Sequence, residues 1–409
     1  VNVAIQRTLP EIPIPLLAIG AALLGLGWWM ALNGAAIFDT EFQLFMPRAQ
    51  LLRAAPASID QQLSVAWMIR ATLLIGIACF VADLSQRPLW FMRLWAAIAI
   101  SGGSVALLGL VQKASGAQMV FWEPSTGRTV STFFASYYYH ANAGAFLNLA
   151  LPASIGLALR VMSRPSPPLA RAVWLTCALC MVLAVFANTS RAAQALGLAL
   201  MIAIGIRAFR KMVRPTGWRD LAFFGGAACV VLLTVLAMAQ ASRLDEPVER
   251  WRGTVQTLSG DARWEVARVA WHAAPEAGWL GFGPGTFRVA FLYVADPLST
   301  GVQGTWRFLH QDYLQTVLEW GWFGSALWAG LFFGGILSAI ASLRSTRAKG
   351  WIPRRRLLLP LIVLALLSVA MHALLDFPLQ IASIQLYAAT YIGLCWASLN
   401  WKADVERRK

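Results

Sequence analysis

The sequence predicts an all-α polytopic membrane protein, a bundle of about ten to twelve transmembrane helices with one large loop. Three observations predict it. Of 409 residues, 58% are hydrophobic and only 13% charged, with a mean hydropathy of +0.60; a soluble fold of this length carries far more charged surface. The apolar residues gather into runs of about 20, the length of helix that crosses a bilayer core. The basic residues fall between those runs on alternate sides. This composition excludes disordered, fibrous and disulfide-rich secreted classes. Hydropathy divides the chain into an N-terminal transmembrane bundle, 1–240, a large loop, 241–311, and C-terminal helices with a tail, 312–409.

Ten spans follow in chain order: 14–33, 64–83, 90–112, 138–160, 170–187, 191–208, 219–240, 312–343, 356–376 and 379–399. The first apolar run is too long for a signal peptide and follows a single basic residue, Arg7, so it is expected to be retained. A short turn with Arg87 separates the second and third. The fourth opens on polar Tyr137–Asn142 and closes at Arg160. Asn188-Thr189-Ser190 is a tight turn between the fifth and sixth. The eighth is longer than one crossing needs, and Gly321 and Gly324 are placed to break it, which allows a count of eleven or twelve. The last two meet at Phe377-Pro378. Cys177 and Cys180 have redox or zinc spacing, but within an apolar span with no second pair; with Cys79, Cys229 and Cys395 they read as small packing residues.

Charge sets the orientation. Clusters after spans four, six and eight and at the chain end, with Arg7, Arg87 and Arg93, put 21 of the 34 basic residues on one side with only five of the 19 acids. That side is expected to be cytoplasmic, with both termini inside. The net charge of +15 is thus a topology signal, and no nucleic-acid partner is expected. Trp28, Trp29, Trp90, Trp95, Trp351, Trp396 and Trp401 near span ends fit interfacial belts with membrane lipids.

Outside lie 34–63, 113–137 and the 71-residue segment 241–311, which holds seven Arg and seven acids. Its turn signals are Ser259-Gly260-Asp261 and Gly281-Phe282-Gly283-Pro284-Gly285. Between them 262–274 reads as a helix, with Trp264, Ala267 and Trp271 on one apolar stripe. Such a helix lies on the membrane surface or caps the bundle. The glycine run lacks the spacing and flanking elements of a nucleotide loop and reads as a turn.

Polar residues near the outer membrane face are the candidates for chemistry. Arg70, about seven residues into the second span, is costly there, on the order of 3 kcal/mol. It either binds an anion or pairs with an acid or the interface. Arg191 opens the sixth span, where a guanidinium and helix N-terminal amides both favour an anion; an interfacial anchor is the alternative. His310 opens the eighth span as a candidate base near pH 7. On a regular helix Asp312 and Glu319 project about 160–180° away from it, so its partner must come from elsewhere. His372 and Asp376 are spaced i, i+4 for a proton relay, or Asp376 caps the turn before Pro378. His140 and Asn142 sit at the entrance of the fourth span as a site or as caps. No cluster of carboxylates or histidines has the density of a metal site.

Three segments together resemble the O-antigen ligase/polymerase superfamily. They are Ser131–Gly144 with His140 and Asn142, running on to Leu151-Pro152; Thr189-Ser190-Arg191 opening a span; and Arg263-Trp264 through Pro275 and Gly281–Phe287 to His310. The last fits the ligase pattern of His, then Asn, Ser or Gln, nine residues, and Gly-x-x-Gly, as His310-Gln311 and Gly321-x-x-Gly324. The resemblance implies a GT-C-like inner-membrane glycosyltransferase whose site lies between a large periplasmic loop and the bundle. The donor it implies is a glycan on undecaprenyl diphosphate; the acceptor, in ligases, is a sugar of lipid A–core. No cofactor, metal or nucleotide is implied. Carried over residue by residue, Arg191 and Arg263 match the family's essential arginines and His310 its essential histidine. Arg70, Arg268, His140, Asn142 and Asp376 complete the expected site as substrate-binding residues. A polysaccharide polymerase or protein O-glycosyltransferase would differ only in acceptor. A small-anion transporter, with Arg70 and the His372/Asp376 pair on its path, is the rival of another class; it should show repeated halves and discontinuous midplane helices, and the sequence shows neither repeated halves nor a polar midplane.

Overall fold

The computed structural model describes residues 9–123, 133–163, 165–212, 262–295, 302 and 304–402, with the side chains of 208–212 outside the description. The seventh predicted span, 219–240, and the loop from 241 to the Ser259-Gly260-Asp261 turn lie outside the described residues.

Among the described residues the fold is all-α apart from one hairpin. Its helices are α1 (Ile14–Leu32), α2 (Gln61–Leu84), α3 (Pro88–Ala114), α4 (His140–Met162), α5 (Pro168–Ala187), α6 (Arg191–Met212), α7 (Ala262–Ala277), α8 (Phe287–Val294), α9 (Asp312–Arg344), α10 (Pro353–His372) and α11 (Ala382–Ala397). A helix stands at each of the nine predicted spans that fall on described residues. Seven of them, α1 to α5, α9 and α10, are long and apolar enough to cross a membrane. The segment 34–63 is more ordered than a plain loop: Ala36–Asp39 pairs antiparallel with Leu44–Pro47. Asp60 joins the hairpin to α2, capping the helix at Leu63 N–H (2.9 Å) while accepting Phe38 N–H (3.0 Å).

The chain forms two compact units. The first holds Val1–Arg87, Gly260–Ile352 and Ala373–Lys409. There α2 lies between α1 and α11, α9 packs on α1 and α11, and α7 lies on α9. The second holds Pro88–Ser259 and Pro353–His372, with α4 packed against α3, α5, α6 and α10. Nearly every residue of α4 from His140 to Ala158 is buried. Small residues let its neighbours approach: a Cβ on Gly144 would lie 2.2 Å from that of Ala193 on α6. The half-buried Cys177 fills the space beside Gly103, the packing role expected of it.

α9 is one element with a break. At Gly321 the backbone takes φ 65°, ψ −175°, a region essentially reserved for glycine. The predicted breaking of the eighth span therefore occurs at the first of the two glycines. Into the kink comes the chain before the Gly281–Gly285 turn. Trp322 N–H bonds Gly278 C=O (3.3 Å) and Phe323 N–H bonds Trp279 C=O (3.0 Å). On the other side of the kink, Phe282 N–H and Gly283 N–H reach the carbonyls of Leu318 (2.8 Å) and Glu319 (2.9 Å).

The two faces of α7 differ sharply in exposure. The stripe of Trp264 and Trp271 is exposed, at 57% and 63%. The opposite face, Val266, Val269, Ala270, Ala273 and Ala277, packs into a core with Phe287, Phe291, Leu314 and Leu318. The small aliphatic side chains suit close helix–helix contact, and two indoles at that spacing do not.

Candidate active site

In the first unit a polar cluster forms where α9 begins. Gln311 takes an extended backbone as N-cap and its side chain accepts Leu314 N–H. His310, one residue before, is left-handed at φ 61°, and so leaves the helix direction. Its Nδ1 lies 3.0 Å from Asp376 Oδ1, with the side chains 17% and 5% exposed. The same oxygen accepts Phe377 N–H at 3.0 Å. Trp306 and Phe377 present edge-to-face contacts to the imidazole, with centroids at 5.9 and 4.6 Å, and Phe308 stacks on Phe377 at 4.6 Å. The ring is held by a carboxylate on one edge and by aromatic walls elsewhere.

The partner of His310 thus comes from outside its own helix. α10 ends at His372 and the chain from Ala373 to Asp376 is a turn, so His372 and Asp376 do not share a helix face. Asp312 and Glu319 serve other ends. Asp312 is buried and accepts Leu379 N–H at Oδ2 (2.8 Å) and Gln380 Nε2–H at Oδ1 (2.9 Å), while its own N–H bonds Ala373 C=O (2.9 Å). It therefore fixes the 373–380 turn that carries Asp376. Glu319 accepts Gly285 N–H (3.1 Å), Phe287 N–H (3.2 Å) and Gln315 Nε2–H (3.0 Å). It closes the glycine turn and the start of α8.

Arg70 reaches the same turn. Its Nη1 lies 3.5 Å from Gln380 C=O, its guanidinium stands 5.9 Å from the Trp67 ring, and it lies in the fields of Glu319 and Arg307. Of its two expected surroundings, an acid is therefore at hand. The structure brings Arg70, His310 and Asp376 together through the turn 376–380. Beside them a cavity of about 300 Å³ runs from Asp312, Glu319 and Gln380 to an apolar end at Ala78, Phe332 and Ile392. Trp67, Trp320 and Trp328, mutually edge-to-face at 5.4–5.8 Å, form one wall.

On α7, Arg263 shares the side of buried Val266 and Ala270, three and seven residues on. Arg268 lies on the outward face and pairs with Glu265. The remaining candidates belong to the second unit. Arg191 is the first residue of α6, as expected, and the corner before it is closely bonded. Asn188 donates to His140 C=O (2.9 Å) and accepts Ser190 N–H (2.7 Å), and Ser190 Oγ caps Ala193 N–H (3.3 Å). His140 opens α4 beside the Tyr139 ring at 5.0 Å. Asn142 is buried, and its Oδ1 has no hydrogen-bond partner among the described residues.

Residues 176–329 match the family model described as O-Antigen ligase. Over this stretch the chain is similar to the O-antigen ligase-like superfamily. The ligase-like stretch carries Arg191, Arg263, His310, the glycine turn and the Gly321 kink, and with the spanning helices it marks a multi-pass membrane enzyme of ligase or polymerase type. A comparison with curated proteins finds no match. Asp376, Asp312's turn and Arg70 lie outside the matched stretch. Sequence reasoning passed over Asp312, Glu319, Gln311 and Phe377 as parts of the site. Glutamine is not among the usual N-cap residues, so nothing local marked Gln311 as the cap.

Proposed function

We propose that the protein transfers a glycan from undecaprenyl diphosphate to a sugar hydroxyl of lipid A–core, at the periplasmic face of a bacterial inner membrane. The observation that carries this reading is the His310–Asp376 pair within a ligase-like chain. A carboxylate on Nδ1 fixes the tautomer that leaves Nε2 as the basic nitrogen, and it stabilises the imidazolium that follows. Nε2 takes the proton of the acceptor hydroxyl as its oxygen bonds the anomeric carbon. The bond from that carbon to the diphosphate oxygen breaks, and undecaprenyl diphosphate leaves with the electron pair. Direct displacement inverts the anomeric centre. Arg263, with Arg70 as a further cation, holds the diphosphate and offsets its growing charge. The apolar walls of the cavity suit the isoprenoid chain. Paired carboxylates of the glycosidase kind have no part in this route.

Polymerase and protein-acceptor readings share this chemistry and differ in the nucleophile. The test is to mix purified protein with undecaprenyl-diphosphate glycan and lipid A–core, without nucleotide or metal, beside His310→Ala. A glycan on lipid A–core that the variant does not make supports the ligase. Lengthening of the lipid-linked glycan would make it a polymerase. No product of either kind, with anion flux lost on Arg70→Ala and kept on Arg263→Ala, would favour a transporter.

A further inference from the structure

We infer that the outward face of α7, Trp264, Arg268 and Trp271, continued by Trp279, is seated in the headgroup–acyl boundary of the bilayer. Three observations lead there. First, α7 has two distinct faces. Val266, Val269, Ala270, Ala273 and Ala277 are spent on the core, while Trp264, Trp271 and Trp279 stand 57%, 63% and 74% exposed. Large indoles on an outward face, with an arginine between them, are the composition of a helix lying in the interface plane.

Second, the depth of this face is set by backbone bonds. Trp322 and Phe323 donate to Gly278 and Trp279, so the end of α7 stands level with the start of the straight part of α9. From Trp322 to Ser342 and Leu343 that helix has 22 residues without a charge, and Arg344 follows. Such a run rises about 33 Å, close to the roughly 30 Å of a hydrocarbon core. Trp322 therefore lies at one border of the core and Arg344 at the other. Third, Trp322 and Phe323 are themselves 46% and 49% exposed, so the aromatic surface of α7 and Trp279 continues the lipid-facing surface of α9. A phospholipid is the occupant that fits: its upper acyl chain lies against the rings, with the Arg268–Glu265 pair at the polar border.

The seating does not depend on the glycosyl chemistry, and its test reads no activity. Full-length protein is placed in nanodiscs of phosphatidylcholine and phosphatidylglycerol, part of the phosphatidylcholine carrying a diazirine near the glycerol end of one acyl chain. After illumination, adducts are mapped by mass spectrometry. The expected result is adducts on Trp264, Trp271 and Trp279 together with Trp322 and Phe323. Adducts on Trp322 and Phe323 with none on the three tryptophans would overturn the seating. So would labelling of Trp264 and Trp271 by a diazirine-bearing soluble glycan and not by the lipid, which would give this face to a sugar.

Discussion

At the scale of single residues, His310 holds a backbone that L-residues avoid. A left-handed non-glycine residue costs about 1–3 kcal/mol and persists where its surroundings hold it. Here the hold is Asp376, with Trp306 and Phe377 about the ring. On the proposed mechanism His310→Ala abolishes transfer while lipid-linked donor still binds; loss of donor binding, read by co-purified labelled lipid, would remove the base role. Asp376→Asn keeps the shape but not the charge, and should lower kcat by about 10²–10⁴ with little change in KM. Near-normal turnover would show that the carboxylate only supports the turn. Arg263→Lys should also fail in transfer assays, since an ammonium cannot offer a planar fork to a diphosphate. His310 was legible through the family resemblance, since an interfacial histidine by itself is more often structural. Asp376 as its partner was not: it lies 66 positions away, and local spacing pointed to His372 instead. Only the end of α10 removes that pairing.

Among elements, the contact between the glycine turn and α9 is the most constrained. Gly281 and Gly321 both have positive φ, and a Cβ on either would lie within 2.5 Å of backbone atoms of the other's segment. Gly321→Ala should therefore lower the melting temperature of the detergent-solubilised protein by an amount equivalent to at least about 1–3 kcal/mol. Gly76→Ala, whose Cβ would meet open space, is the matched control on α2; equal shifts would show that the kink bears no strain. Glu319 ties the same junction, and each hydrogen bond to a carboxylate contributes about 1.5–3 kcal/mol. Glu319→Ala leaves three donors without their acceptor and should expose the 277–287 turn to faster amide exchange. The sequence marked one glycine group as a turn and the other as a break. That each makes room for the other depends on a tertiary contact, which local pattern does not encode. The sequence marked the tryptophan stripe of α7 and left its direction open; the packing of valine and alanine on the core settles which face is buried.

For the whole molecule, helix positions were readable because a bilayer imposes a length on every apolar run, and length survives without any tertiary information. The orientation proposed from arginine placement is open to direct measurement. Green fluorescent protein fused after Trp351 should fluoresce, and alkaline phosphatase fused after Val294 should be active; the reverse pattern would invert the protein. The grouping of helices was not readable, since the first unit draws on three separate stretches of chain. That interleaving bears on biosynthesis. The histidine is translated 66 residues before the aspartate that aligns it. At about 5–20 residues per second the ribosome needs roughly 3–13 s to cover that interval. Through those seconds α9 and α10 enter the membrane while the nascent chain has no oriented base. On the proposed mechanism, a half-made chain stays without its oriented base until the turn that carries Asp376 closes against the head of α9.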